Sequence, residues 1–161
     1  MNEHIAQLAQ ELGAALLKTR KTVATAESCT GGGVAEAITS VSGSSAYFDR
    51  AFITYSNLAK SQMLGVDPGL LERYGAVSEP VVREMAKGAV ARSGASVSVA
   101  ISGVAGPTGG TEEKPVGTVW FAWAKGEEIE SSLMRFCGDR EAIRTQAVLL
   151  ALQGLLARVR N

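Results

Sequence analysis

The sequence predicts an α/β fold: a three-layer α/β/α sandwich built on a mixed, mostly parallel five-stranded sheet. Three observations carry this reading. Stretches with apolar residues at helical spacing alternate with short apolar, β-branched runs from residue 3 to residue 101. The first three of these runs are joined through helices, which favours parallel pairing. The last two are separated only by a short turn, so they form an antiparallel hairpin.

The elements follow in the order α-β-α-β-α-α-β-β-β-α. Ile5, Leu8, Ala9, Leu12 and Leu16 share one face, so residues 3–19 form an amphipathic helix. The first strand spans 22–27. Val34, Ala35, Ala37, Ile38 and Val41 then recur at helical spacing, until Ser42-Gly43-Ser44-Ser45 breaks the helix. Residues 51–55 read as the second strand. Asn57–Leu64 is a short helix carrying Lys60, with Gly65 as its cap. Pro68–Tyr74 is another helical turn. Ser78-Glu79-Pro80 opens the next helix with a capping hydroxyl and a first-turn proline. Val82, Met85, Ala86, Ala89 and Val90 are its apolar face. Val97, Val99 and Ile101 alternate with small residues, as in a central strand. Residues 118–124 and 129–136 pair across Lys125-Gly126-Glu127-Glu128, and the last helix runs from 139 to 158. Trp120, Phe121 and Trp123 are expected in the core or in a subunit interface.

The composition is that of an ordinary globular chain. It has 161 residues, 46% hydrophobic and 20% charged, consistent with one domain spanning 1–161. Sixteen basic and sixteen acidic residues cancel, with no basic block, so a role resting on nucleic-acid binding is disfavoured. No signal peptide is visible and no apolar stretch approaches bilayer-spanning length, so a cytoplasmic protein without membrane contact is expected. Two cysteines, Cys29 and Cys137, make neither a disulfide framework nor a zinc site. No cluster suggests a metal, and no cofactor is required.

The stretch that carries chemistry is Ala26-Glu27-Ser28-Cys29-Thr30-Gly31-Gly32-Gly33. It joins a strand to a helix, and its glycines allow a close backbone approach. Amides at a helix N-terminus favour an anion or a developing oxyanion. Ser28 stands there as a nucleophile, with Cys29 as its rival. The only histidine, His4, lies at the N-terminus, so a Ser-His-Asp triad within the chain is disfavoured. The base is then a lysine, an aspartate or a glutamate. Lys60 follows the second strand closely enough to reach the same edge, given a depressed pKa. Tyr55, at the end of that strand, can relay a proton or orient the lysine. Glu27 braces the turn or Lys60. The loop 102–117, with five glycines and two prolines, is functional or mobile. These pieces all follow strands, and α/β sheets bind ligands beyond the carboxyl ends of their strands.

Residues 26–32 resemble the signature of the CinA C-terminal-domain family, in its stand-alone nicotinamide-nucleotide amidohydrolase form (PncC type). The resemblance continues in order along the chain. It takes in Tyr55-Ser56-Asn57 with Lys60, Leu64-Gly65-Val66, Gly75-Ala76-Val77-Ser78, and Ile101-Ser102-Gly103-Val104-Ala105-Gly106-Pro107 with Gly109-Gly110. Lys114-Pro115-Val116-Gly117-Thr118-Val119 and Gly138-Asp139-Arg140 with Arg144 complete it. The resemblance implies the same α/β/α fold. It also implies Ser28 as nucleophile, Lys60 as base and Tyr55 as an assisting hydroxyl. The implied reaction is deamidation of nicotinamide mononucleotide to nicotinic acid mononucleotide and ammonia, in pyridine nucleotide recycling. Thr30, Gly31 and Gly32 would supply oxyanion and substrate contacts. Ala105, Gly106, Thr108, Gly109 and Arg140 would hold the phosphate. Two rivals are a non-catalytic nucleotide-binding module and a competence-associated interaction domain. The aromatic hairpin suggests a homo-oligomer.

Overall fold

The computed structural model describes residues 1–161. Its elements are α1 (Glu3–Thr19), β1 (Val23–Glu27), α2 (Gly33–Thr39), a 3-10 turn (Ser44–Ala46), β2 (Phe48–Ile53), α3 (Asn57–Leu64), α4 (Pro68–Tyr74), α5 (Glu79–Ser93), β3 (Val97–Gly103), β4 (Thr118–Lys125), β5 (Glu128–Arg135) and α6 (Arg140–Arg160). The strands form one sheet in the order β2-β1-β3-β4-β5. β1 is parallel to both of its neighbours, β2 and β3. β4 runs antiparallel to β3 and to β5, so it alone opposes the other four strands. The chain leaves β1 for β2 on one side and returns to β3 on the other. That reversal is a topological switch point, where a crevice opens at the carboxyl ends of the strands.

The two faces of the sheet carry side chains of different size. Val23, Val97, Val99, Ile101, Val119, Phe121 and Trp123 face α1, α2 and α6 and form the larger core. Ala24, Ala26, Ala100, Ala122 and Ala124 face α3, α4 and α5. Alternation along each strand sends successive residues to opposite layers. The alanine face lets α5 lie close on the sheet. α3 and α5 also pack closely, because a Cβ built on Gly88 of α5 would sit 2.0 Å from the Leu64 carbonyl oxygen.

The local signals set most of the element ends. Asn2 and Asp139 accept hydrogen bonds from backbone amides and start α1 and α6. Ser56 Oγ accepts from the Ala59 amide at 3.0 Å and starts α3. Gly65, at φ 72°, closes it in the left-handed region.

Four expectations need correction. The second strand is 48–53, not 51–55. It is an edge strand that tolerates Asp49 and Arg50, and residues 54 and 55 leave the ladder. The Ser78 hydroxyl donates to the Gly75 carbonyl and does not cap α5. The hairpin turn is only Gly126-Glu127, since Lys125 pairs with Glu128. Finally, α6 is by length and composition long and apolar enough to cross a bilayer. Its apolar stripe, including Ile143, Val148, Leu152 and Leu155, is instead buried against the sheet and α1.

Alanine normally stabilises a helix over glycine by about 1 kcal/mol. At position 88 the carbonyl of Leu64 reverses that sign. Gly88→Ala is expected to lower stability by about 1–3 kcal/mol, read as a reduced midpoint in a urea titration.

Candidate active site

Ser28 is the first residue after β1, and its amide donates to the Ile101 carbonyl at 3.0 Å. That bond extends the β1–β3 ladder by one step and fixes the residue at the switch point. α3 brings Lys60 back over the same edge. Lys60 is 1% exposed, and its Nζ lies 3.0 Å from Ser28 Oγ, 2.8 Å from the Thr54 carbonyl oxygen and 3.2 Å from the Tyr55 carbonyl oxygen. No carboxylate lies within ion-pair distance of it. Burial therefore pushes its pKa down from 10.5 to about 8.

The hydrogen-bond inventory then dictates how a neutral Lys60 sits. A carbonyl oxygen only accepts, so the two N–H bonds of a neutral amine go to Thr54 and Tyr55. The lone pair is left facing the Ser28 hydroxyl. The geometry of a general base on a serine thus follows from two backbone carbonyls that hold the nitrogen.

The turn after Ser28 is braced from within. Glu27 is fully buried on the opposite face of β1. Its Oε1 accepts from Thr30 Oγ1 at 2.7 Å and from the Val34 amide at 2.9 Å. Its Oε2 accepts from Thr25 Oγ1 at 3.0 Å and from the Ala35 amide at 2.9 Å. The expectation that the first amides of this helix meet a substrate anion or oxyanion is therefore corrected. Glu27 is the anion at the start of α2. From α6, Arg144 donates to the carbonyls of Cys29 (3.1 Å) and Thr30 (3.3 Å), which engages it with the turn.

Gly31 donates its amide to the Ser28 carbonyl, and Gly32 caps α2 at φ 102°. Both are structural in this arrangement, and neither lines the cleft. The amides of Cys29, Thr30 and Gly32 find no acceptor in the chain. Of these residues only Cys29 lines the cleft, so its amide is the donor placed for a developing oxyanion. The Cys29 side chain packs into the larger core, and burial raises its pKa to about 11, so a thiolate is disfavoured there.

The cleft itself holds about 230 Å3. Ser28, Lys60, Tyr55, Ala105 and Arg140 all border it, as the sequence suggested. Tyr55 meets Lys60 through its carbonyl. Its hydroxyl accepts from Arg140 Nη2 at 3.4 Å and touches neither Lys60 nor Ser28. Arg140 also donates to the Gly106 carbonyl at 2.9 Å. Thr108 and Gly109 are exposed and lie outside the cleft. The loop packs on itself, since a Cβ on Gly106 would lie 2.4 Å from Val116, and one on Gly110 would lie 2.7 Å from the Val116 amide. The glycines at 106 and 110 are needed for that closure. Asn57, Ala76, Val77, Ser102 and Gly103 complete the lining and were given no role by the sequence reading. A signal for Ser102 existed: it sits two residues beyond Ala100 on a strand whose even positions face the lysine layer.

A buried serine and lysine in hydrogen-bond contact at the switch point of a three-layer α/β/α sandwich mark a candidate active site in an α/β protein. The CinA C-terminal domain model matches residues 5–159, and the chain belongs to that family. It is 56% identical over 156 residues to the nicotinamide-nucleotide amidohydrolase PncC of Escherichia coli K12, covering 96% of this chain and 94% of that one. It is 55% identical over 152 residues to the PncC of Pseudomonas putida, covering 94% and 95%. Among solved structures it superposes on the competence/damage inducible protein CihA of Agrobacterium tumefaciens with a TM-score of 0.97 at 42% identity, covering 100% of this chain and 98% of that one.

The brace can be tested apart from any activity. Glu27→Gln keeps the shape but turns one acceptor into an NH2 group facing a backbone amide that cannot reverse. It is expected to cost about 2–3 kcal/mol, seen as a fall in Tm of roughly 5–10 °C.

Proposed function

We propose that this protein is a nicotinamide-nucleotide amidohydrolase that converts nicotinamide mononucleotide and water to nicotinic acid mononucleotide and ammonia. The observation that carries the proposal is the Lys60 nitrogen 3.0 Å from Ser28 Oγ, with its other two hydrogen-bonding directions held by carbonyls. Relatives named for this activity at 55–56% identity supply the substrate.

In the proposed reaction Ser28 Oγ attacks the carboxamide carbon while its proton passes to Lys60 Nζ. The carbonyl oxygen becomes an oxyanion against the unpartnered Cys29 amide. Collapse breaks the C–N bond, the Lys60 proton goes to the nitrogen, and ammonia leaves. A water then takes the place of Ser28 as attacking group, its proton again going to Lys60, and the acid is released. Arg140 is the one cation besides Lys60 that lines the cleft, and it suits the substrate phosphate. The Tyr55 hydroxyl holds that guanidinium at the mouth. No step calls for a metal.

Burial explains why lysine can serve. At pH 7 an amine with a pKa of about 8 is neutral about one time in ten, roughly 300-fold more often than one at 10.5. Ammonia release from nicotinamide mononucleotide, followed without added metal, tests the reading. Ser28→Ala should abolish it while the nucleotide still raises Tm; ammonia release at the wild-type rate would end the proposal. Lys60→Ala should lower kcat by about 100-fold or more with a smaller change in KM. The pH profile has a definite sign. kcat/KM should climb with pH as Lys60 loses its proton and level off above about 8. A profile flat from pH 6 to 9 would remove Lys60 as the base.

A further inference from the structure

Most buried hydroxyls in this molecule have a partner in the chain; Tyr47, buried in the larger core away from the cleft, does not. Thr25 and Thr30 donate to Glu27, Ser78 to the Gly75 carbonyl and Thr118 to the Pro115 carbonyl. Ser98, on the α5-facing side of β3, donates to the Ala86 carbonyl at 2.7 Å. Four residues on and on the same side, Ser102 is 1% exposed, yet its hydroxyl has no hydrogen-bond partner in the chain, while the residue lines the cleft. Its oxygen meets only the cleft, so its free hydrogen-bonding capacity is available to whatever binds there. Thr54 Oγ1 is also unpaired, but Thr54 is sealed from the cleft, so no ligand reaches it.

The position of Ser102 is set by register. Glu27 pairs with Ile101, and the Ser28 amide bonds to the Ile101 carbonyl, so Ser28 and Ser102 stand side by side one step further along parallel strands. Both share the parity of the alanines that face α5, so both side chains rise on the lysine side of the sheet. They form no hydrogen bond with each other. Both line the cleft, so one group of the substrate can meet both hydroxyls, while Lys60, held by the Thr54 and Tyr55 carbonyls that follow β2, lies on the side of Ser28 away from β3.

We propose that Ser102 is a further catalytic residue of the reaction above, on which this inference rests: its oxygen accepts a hydrogen bond from the carboxamide nitrogen and orients that nitrogen as it leaves. A planar amide nitrogen only donates. Once Ser28 has added, the nitrogen is pyramidal, with two N–H bonds and a lone pair. Engaging one N–H at Ser102 turns the lone pair toward the Lys60 ammonium. The lysine proton passes to the nitrogen, the C–N bond breaks with its electrons on nitrogen, ammonia departs and Lys60 is neutral again. The Ser102 hydroxyl itself gains and loses no proton. The arrangement favours a primary carboxamide, because replacing the engaged N–H by an alkyl group removes the contact.

The test is Ser102→Ala, with Ser102→Thr as its rescue, assayed for ammonia release from nicotinamide mononucleotide. The alanine variant should lose about 100-fold in kcat, with KM within about threefold, and the threonine variant should recover most of it. The rise of the rate toward pH 8 should persist, since Lys60 is untouched, and Tm should not fall, since the Ser102 hydroxyl makes no hydrogen bond within the chain. Unchanged kcat, a loss confined to KM, or a loss accompanied by a lower Tm would each overturn the assignment. If the wild-type protein itself releases no ammonia, the parent reading fails first, and that outcome is distinct from the variant's.

Discussion

The whole site depends on holding an amine away from water with no acid beside it. Lys60 has lost nearly all its exposure, and no carboxylate compensates its charge. The linkage is worth about 3 kcal/mol from a pKa drop of 10.5 to about 8. Its sign is that of a depressed base. Below pH 8 the folded and unfolded chains both bind the proton, and folding bears the full cost. Between about 8 and 10.5 the unfolded chain binds it more, so stability rises with pH across that window. A buried amine left without a counter-charge is the physical condition for the neutral form that the proposed reaction needs.

The rest of the architecture makes that burial tolerable. β2 ends early, at Ile53, and the two residues that leave the ladder turn their carbonyls to Lys60. The Thr54 amide still bonds to the Glu27 carbonyl at 2.8 Å, which ties this exit to β1. Glu27 then serves two elements at once: its backbone anchors the end of β2, and its carboxylate caps α2. Negative charge at that helix start is offset by aligned amides, leaving the lysine outside its reach as an ion-pair partner. The one acid at the turn is thus kept from pairing with Lys60.

Much of this was legible in the residues. The alternation of apolar periods gave the layers, and the strand–Gly-rich turn–helix gave the place of Ser28. The pairing of Ser28 with Lys60 was legible because both follow strands at one edge. What was hidden is what depends on hydrogen-bond accounting. Whether Gly31 offers its amide outward or to the Ser28 carbonyl, and whether Glu27 braces the turn or the lysine, are decided by geometry that spacing does not encode. The 105–110 loop was legible only in part, for a related reason. Its glycines looked like a phosphate cradle, but Val116 fills the space beside Gly106 and Gly110. The early start of β2 was masked by Asp49 and Arg50, which an edge strand accepts and a buried one would not.

The unequal faces of the sheet explain why the chemistry sits on one side of it. The side facing α1, α2 and α6 carries valine, isoleucine, phenylalanine and tryptophan, which hold their helices at a distance and fill the space solidly. The other side is lined by alanines, so α3 and α5 come close to the strands. Closeness lets a lysine side chain anchored on a short helix reach back to a strand end. It also gives small hydroxyl residues, Ser98 and Ser102, a place on the same rows without displacing a helix. Enlarging the alanine row would push α5 outward, and α3, locked to it at Gly88, would have to follow. The nitrogen of Lys60 would then leave its two carbonyls. Side-chain volume far from the cleft thereby sets the distance between Lys60 and Ser28.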